Sequence, residues 1–91
     1  MKGSLFRKRY ILLNCEDSDI MQAVEKFAME RYRARIKLRE NRYIILLTNQ
    51  FQKESLCSNI ESMFRSARIV TVSGTIRKCL RIMKDQIDAS S

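Results

Sequence analysis

Four stretches of the chain have the hydrophobic pattern of β-strands. Residues 10–13 and 43–47 are continuous apolar runs, which is typical of strands that are buried on both faces. Residues 33–39 instead alternate between basic and apolar side chains, which predicts a half-buried strand. Residues 67–72 form a shorter and less apolar strand. The turn at residues 40–41 makes the second and third strands a predicted hairpin.

Three further stretches have the three- and four-residue spacing of amphipathic helices. The first begins at Asp17, Ser18 and Asp19, which all offer side-chain oxygens that can cap a helix. The second opens with Asn49 followed by Gln52, which resemble a capping box. The third follows a break at residues 73–75. The expected buried stripes are Ile20, Val24, Phe27, Ala28 and Tyr32 in the first helix, Leu56, Ile60, Met63 and Phe64 in the second, and Ile76, Leu80, Met83 and Ile87 in the third.

The order of these elements predicts an α+β domain. A β-α-β-β-α-β order favours the ferredoxin-like (RRM-like) βαββαβ sandwich, here with an additional C-terminal helix. That fold has strands one and three at the centre of the sheet, and the two continuous apolar runs are those strands. We expect a single domain over residues 1–91, with a basic arm at 1–8, a core at 9–88 and a frayed tail at 89–91.

Charge and composition narrow the classes of function. The chain has 18 Lys and Arg against 10 Asp and Glu, a formal net charge of +8, and no histidine. The missing histidine removes the usual general base and a common metal ligand. The three cysteines are too far apart for a CxxC motif and are expected to be buried free thiols. No apolar run is long enough to predict a membrane span. Together with the free cysteines and the net charge of +8, this predicts an intracellular domain with an anionic partner.

The alternating strand is the most informative basic feature. Its period predicts that Arg33, Arg35, Lys37 and Arg39 point to one side. Like charges that repeat about every 7 Å repel one another, which favours an anion lying across them. Arginine also suits bidentate recognition of phosphate. The alternative is an edge strand whose charges only prevent association between sheets.

Two other basic groups accompany the strand. One is at the N-terminus, where a disordered tail is the alternative to a phosphate contact. The other is on the third helix, where the alternative is a solvated helix face. Their members in our interpretation are Arg7, Lys8 and Arg9 in the first group, and Arg77, Lys78, Arg81 and Lys84 in the second.

Other mechanisms have less support in the sequence. Tyr10 and Tyr43 are the only aromatic residues of the central strands and lack the glycine of an RNP motif, so we expect them to pack rather than stack on bases. No carboxylate pair, Gly-rich loop or nucleophile with a base is visible, so we expect no catalysis by the chain itself. A phosphate-cleaving enzyme of the acylphosphatase kind ranks last, because residues 14–17 are acidic where its loop would bind phosphate.

Residues 72–79 read Val-Ser-Gly-Thr-Ile-Arg-Lys-Cys, a strand that turns directly into a basic helix. This segment resembles the signature of the Pop-five/Rpp-fourteen-type small protein subunits of ribonuclease P and ribonuclease MRP. Residues 7–13 and 43–47 resemble the opening strand and second central strand of that family. Gly74 is expected to adopt a backbone conformation closed to other residues and to admit a close approach. Ser73 and Thr75 are expected to cap the next helix, whose free N–H groups favour an anion.

The resemblance implies a non-catalytic RNA-binding subunit that braces the catalytic RNA of ribonuclease P, or of both ribonuclease P and ribonuclease MRP. That RNA, with its own magnesium ions, removes the 5′ leader from precursor tRNA, and the protein itself binds no cofactor. The implied partners are the catalytic RNA, other ribonuclease P subunits including a TIM-barrel-like one, and precursor tRNA indirectly, with no membrane. The residues of the signature favour a eukaryotic protein of the nucleus and nucleolus, whereas an archaeal protein would be cytoplasmic.

The alternative hypothesis is a protein-interaction module of another assembly, in which the basic edge strand faces an acidic partner. On the RNA-binding hypothesis, the candidate contacts come from the three basic groups and from the turn in the signature. They are Arg7, Lys8, Arg9, Arg33, Arg35, Lys37, Arg39, Ser73, Gly74, Thr75, Arg77, Lys78, Arg81 and Lys84.

Overall fold

The described part of the chain, residues 7–90, folds into four strands and three helices. The computed structural model describes residues 7–90, so residues 1–6 of the predicted arm and residue 91 of the predicted tail lie outside it. The elements are β1 Lys8–Cys15, α1 Ser18–Tyr32, β2 Arg35–Glu40, β3 Tyr43–Asn49, α2 Gln50–Met63, β4 Ala67–Ser73 and α3 Ile76–Ser90.

The four strands form one antiparallel sheet in the order β2-β3-β1-β4. The two continuous apolar strands, β1 and β3, are therefore central, and the basic strand β2 is at an edge. In β1, Ile11 pairs with Leu46 on one side and with Val72 on the other. The α+β class is confirmed, and the arrangement is compatible with a ferredoxin-like fold.

Both faces of the sheet are covered, which explains the continuous apolar runs. Helices α1 and α2 pack on one face, in a cluster that includes Ile11, Ile44 and Leu56. Helix α3 packs on the opposite face, against Leu12 and Ile45. Because side chains alternate along a strand, β1 and β3 contribute to both clusters. The prediction that these strands are buried on both faces is confirmed.

Side chains cap the first two helices at the predicted positions. The Oδ1 of Asp17 accepts a hydrogen bond of 3.0 Å from the backbone N–H of Ile20 at the start of α1. The Oδ1 of Asn49 accepts one of 2.9 Å from the N–H of Gln52 at the start of α2. These bonds satisfy donors that have no partner inside the helix, and so they fix where each helix begins.

The strict alternation predicted for residues 33–39 is wrong. The pairing of β2 with β3 shifts register between Ile36 and Leu38, which leaves Lys37 in a β-bulge. After this extra residue, the side chains of β2 lie on the opposite face from the one that strict alternation predicts. Ile36 therefore packs on the α1–α2 side and Leu38 on the α3 side. The four cations of this stretch therefore do not share one side of the sheet.

The predicted stripe of α2 is wrong at one residue, Met63. Leu56 and Ile60 are buried as expected, but Met63 is 57% exposed. Met63 is the last residue of the helix, whereas Phe64, which follows it, packs against the core as predicted. The ring of Phe64 meets that of Phe27 edge to face, with centroids 5.8 Å apart.

Candidate nucleic-acid interface

One end of the sheet collects basic residues from distant parts of the sequence. The antiparallel order places the starts of β1, β2, α2 and α3 and the ends of α1, β3 and β4 at this end. A hydrogen bond of 3.0 Å from Gln50 N–H to the Arg7 carbonyl links two of these segments. We call this end of the sheet the basic end. Its cations are Arg7, Lys8, Arg9, Arg31, Arg33, Arg35, Lys53, Arg77 and Lys78, against the two carboxylates Glu30 and Glu54.

The opposite end of the sheet has most of the acidic residues. It contains the loops after β1, β2 and α2 and the C-terminal part of α3. Three arginines, Arg42, Arg65 and Arg68, also lie there. The acidic residues of this end are Glu16, Asp17, Asp19, Glu40, Glu61, Asp85 and Asp88. The molecule is therefore positively charged at one end and partly neutralised at the other. This uneven charge would turn the basic end toward a polyanion.

A groove of about 500 Å³ opens at the basic end, between the start of β2 and the end of β3. Lys8, Arg33 and Arg35 line it, and all three side chains are exposed. None of the three forms an ion pair with another residue in the range 7–90. The side-chain amides of Asn49 and Gln52 line the same groove. It thus combines unpaired cations with polar hydrogen-bonding groups.

Arg33 reaches this groove from a connection rather than from a strand. It is the C-cap of α1, in the left-handed conformation with φ 55° and ψ 30°. Its N–H donates to the carbonyls of Ala28 and Met29, which ends the helix. The prediction that Arg33 belongs to the strand is therefore wrong, although it lies beside Arg35 in the groove.

The turn of the signature is also at the basic end, next to the start of β1. The Oγ of Ser73 accepts a hydrogen bond of 3.2 Å from the N–H of Thr75, and the Oγ1 of Thr75 accepts one of 3.4 Å from the N–H of Lys78. The predicted capping role is therefore confirmed for Thr75, whereas Ser73 binds the N–H of Thr75, which precedes the helix. Arg77 and Lys78, in the first turn of α3, are exposed beside it.

Gly74 has an ordinary backbone conformation, so the expectation of one closed to other residues is wrong. Its missing side chain instead leaves room for Arg9. A Cβ at this position would lie 3.2 Å from the Nη1 of Arg9. The same Nη1 donates a hydrogen bond of 2.9 Å to the carbonyl of Lys8. Two predicted groups, the N-terminal cations and the glycine turn, are therefore brought together.

Four other candidate residues are not part of the basic end. Arg39, near the end of β2, forms an ion pair with Glu25 of α1, with Nε 2.8 Å from Oε2. Lys37 is in the bulge, and Arg81 and Lys84 are exposed farther along α3. The structure thus brings together ten of the predicted positions and separates these four.

The face of the sheet that stacks bases in RRM domains is covered here by α3. Tyr43 is buried and its hydroxyl donates a hydrogen bond of 3.1 Å to the Oε1 of Gln86. Tyr10 packs at the border of the same cluster. Its carbonyl accepts a hydrogen bond of 3.6 Å from the Sγ of Cys79. The predicted packing role of both tyrosines is confirmed.

Sequence reasoning misses three residues of this region. The pattern assigns Asn49 and Gln52 only a capping role, although they also line the groove. Phe51 is 66% exposed and lies between them in the chain. Its signal is present in the sequence, because it is an aromatic residue outside the apolar stripe of its helix.

The thiols are not activated for chemistry. Burial, with the nearby carboxylates of Glu25 and Asp17, raises the pKa of Cys15 to about 11. Burial also raises the pKa of Cys57 and that of Cys79. In the part of the chain that the structure describes, no group of three or more Cys, Asp or Glu is placed to hold a metal ion.

The comparisons with known proteins add no relative. The chain matches no protein-family model, no curated protein and no solved structure. Within residues 7–90 the helices are too short or too polar to cross a membrane. The function must therefore be inferred from the geometry of the basic end together with the resemblance in the sequence.

Proposed function

We propose that this chain is a non-catalytic RNA-binding subunit that braces the catalytic RNA of ribonuclease P, or of both ribonuclease P and ribonuclease MRP. The observation that carries the proposal is the basic end. There, the groove with Lys8, Arg33 and Arg35 and the turn at residues 73–75 occupy the same end of the sheet. The turn belongs to the segment whose sequence resembles the family of small ribonuclease P proteins.

The fold we propose is the ferredoxin-like, RRM-like βαββαβ sandwich with α3 as an additional helix. In this arrangement α3 occupies the sheet face that would otherwise stack bases, since Leu12 and Ile45 are fully buried beneath it. RNA would therefore contact the end of the sheet rather than its face. The unpaired cations at that end support this placement.

The proposed role of the cations is to hold the RNA backbone in place. Arginine and lysine that neutralise phosphates supply affinity and position without reading sequence. The RNA and its magnesium ions would carry out the removal of the 5′ leader, and the protein would bind no cofactor. The proposed partners are the catalytic RNA and other subunits, including a TIM-barrel-like one, with precursor tRNA an indirect partner. The proposed location is the nucleus.

Purification from the native cell tests this proposal. The tagged chain is isolated at stringent salt, the bound RNA is sequenced, and the eluate is assayed for cleavage of precursor tRNA. The expected result is one abundant ribozyme RNA with cleavage activity. A broad mixture of RNAs, or proteins without RNA, would overturn the proposal and favour the protein-interaction module.

A pair of charge-reversal variants sharpens the experiment. The first carries Glu at Lys8, Arg33 and Arg35, and the matched control carries Glu at Arg42, Arg65 and Arg68 of the opposite end. Both variants change the net charge equally. Only the first is expected to lose the RNA. Equal losses would mean that net charge, rather than the groove, retains the RNA.

A further inference from the structure

We propose that Phe51 is a stacking platform for an unpaired base of the RNA whose backbone the groove holds. This inference rests on the proposed function and adds the class of RNA that the basic end takes. Phe51 is 66% exposed, more than Met29 or Met63, the other large apolar side chains that are exposed in the described residues. Of these three residues only Phe51 has an aromatic ring, and it lies at the basic end, at the start of α2.

Phe51 is in the first turn of α2, next to Gln52 in the chain, and is itself outside the residues that line the groove. At 3.6 residues per turn, positions 51, 52, 55 and 59 fall within an arc of roughly 100° on the helix. Gln52 lines the groove directly. The side chains of Ser55 and Asn59 hydrogen-bond the hydroxyl of Tyr32, which also lines it. This side of α2 is therefore the side beside the groove.

The backbone around Phe51 is held at both ends. The N–H of Gln50 donates a hydrogen bond of 3.0 Å to the Arg7 carbonyl, and the N–H of Gln52 donates one of 2.9 Å to the Oδ1 of Asn49. The ring is thus presented from a fixed turn of helix. A base that stacks on it meets a preformed surface, which lowers the entropy lost on binding.

It is the cations of the groove that favour a nucleotide over an apolar protein segment, because the two charges nearest to Phe51 on α2, Lys53 and Glu54, are of opposite sign. Lys8, Arg33 and Arg35 are cations without a carboxylate partner in residues 7–90, which complements phosphate. A positive groove that follows the backbone, with an aromatic ring on which a base stacks, is the usual arrangement for binding single strands. In a duplex the bases are already stacked on each other, so the ring would gain nothing from them.

The test uses the full chain and two RNA probes of equal length, a single strand with one 2-aminopurine and a blunt duplex. Phe51→Ala is compared with Phe51→Trp, which restores a ring, and with Met63→Ala, an exposed residue at the other end of α2. Phe51→Ala should weaken single-strand binding roughly 5- to 100-fold and remove the quenching of 2-aminopurine, with duplex binding unchanged. Phe51→Trp and Met63→Ala should bind both probes as the parent chain does.

The other outcomes separate the two proposals. If charge reversal of Lys8, Arg33 and Arg35 abolishes binding but Phe51→Ala leaves both probes unaffected, stacking is wrong and the groove still holds backbone. If Phe51→Ala weakens both probes equally, the ring does not select unpaired bases, and the inference is also wrong. If neither set of variants changes RNA binding, the proposed function itself fails. Loss of a protein from the native complex, with RNA retained, would show that Phe51 contacts a protein and would overturn the stacking role.

Discussion

Arg39 of β2 and Glu25 of α1 are joined by two parallel hydrogen bonds, Nε to Oε2 at 2.8 Å and Nη2 to Oε1 at 2.9 Å. The Glu25 side chain is only 8% exposed, whereas that of Arg39 is 54% exposed. The pair therefore fastens the edge strand to the helix behind it. Because its guanidinium is already occupied, Arg39 is the weakest of the predicted phosphate contacts on β2.

Replacing Arg39 should therefore affect stability more than RNA binding. Arg39→Ala leaves a buried carboxylate without its partner, at an expected cost of about 1–3 kcal/mol. Arg35→Ala, in the same strand, removes an unpaired exposed cation and should change stability by less than about 0.5 kcal/mol. Urea denaturation measures both free energies of unfolding. A stable Arg39→Ala variant with RNA binding as weak as that of Arg35→Ala would contradict this assignment.

The groove cations should determine the salt dependence of RNA binding. Each phosphate contact contributes roughly 0.7–0.9 to the slope of log K against log salt. Replacing Lys8, Arg33 and Arg35 together by Gln should thus reduce that slope by about 2–3 units. Fluorescence anisotropy over a series of salt concentrations measures it. The same change at Arg42, Arg65 and Arg68 is the control, and an equal reduction there would show that the groove has no special role.

The hydrophobic pattern is sufficient to predict the strands, the helices and their capping residues. It is not sufficient to predict on which face of the sheet each side chain of β2 lies. Ala34, Ile36 and Leu38 alternate without interruption, yet Ile36 and Leu38 pack on opposite faces. Helices cover both faces of the sheet, so an apolar side chain of β2 is buried on either side. The alternation of apolar residues in β2 therefore does not determine its register with β3, and the sequence gives no sign of the bulge at Lys37.

The basic end illustrates a second limit of sequence reasoning. Lys8, Arg33 and Arg35 are each candidates from the sequence, but Lys8 belongs to the N-terminal group and the two arginines belong to the alternating strand. Their meeting in one groove depends on β1 pairing with β3 and β3 with β2, which is a property of the sheet. Phe51 is within reach of sequence reasoning, because an aromatic residue on the polar side of a helix has no packing role in the pattern.

Gly74 should tolerate a small side chain. Its backbone is not in the left-handed region, so alanine meets no conformational penalty there. The new methyl group would lie 3.2 Å from the Nη1 of Arg9, the far end of a flexible side chain that can move aside. We expect Gly74→Ala to change stability by less than about 1 kcal/mol, in thermal or urea denaturation. A loss of several kcal/mol would mean that the turn requires glycine for its backbone.

Helix α3 should be needed for the hydrophobic cluster on its face of the sheet. Met83 is almost completely buried against the sheet, so Met83→Ala should cost about 2–5 kcal/mol through lost burial and the cavity that remains. Lys84→Ala, the exposed neighbour, is the matched control and should change stability by less than about 0.5 kcal/mol. Equal and small effects in urea denaturation would show that α3 does not depend on this contact.

Cys15 should make the fold sensitive to alkaline pH. Burial, with Glu25 and Asp17, raises its pKa from 9.0 to about 11, so the folded chain holds this proton more tightly than the unfolded chain does. The stability that this difference provides is complete below pH 9 and is lost as the pH rises toward 11. At about 1.4 kcal/mol per pKa unit the loss is on the order of 2 kcal/mol.

Comparison with Cys15→Ala isolates this contribution from the other groups that titrate at high pH. Cys57 and Cys79, whose pKa values burial also raises, are present in both chains and contribute equally. The variant starts from a lower stability, because it loses a buried sulfur, but its free energy of unfolding should fall less steeply between pH 9 and 11. Urea denaturation at half-unit steps of pH measures both slopes. Parallel curves would show that the Cys15 thiol ionises as easily in the folded chain as in the unfolded one.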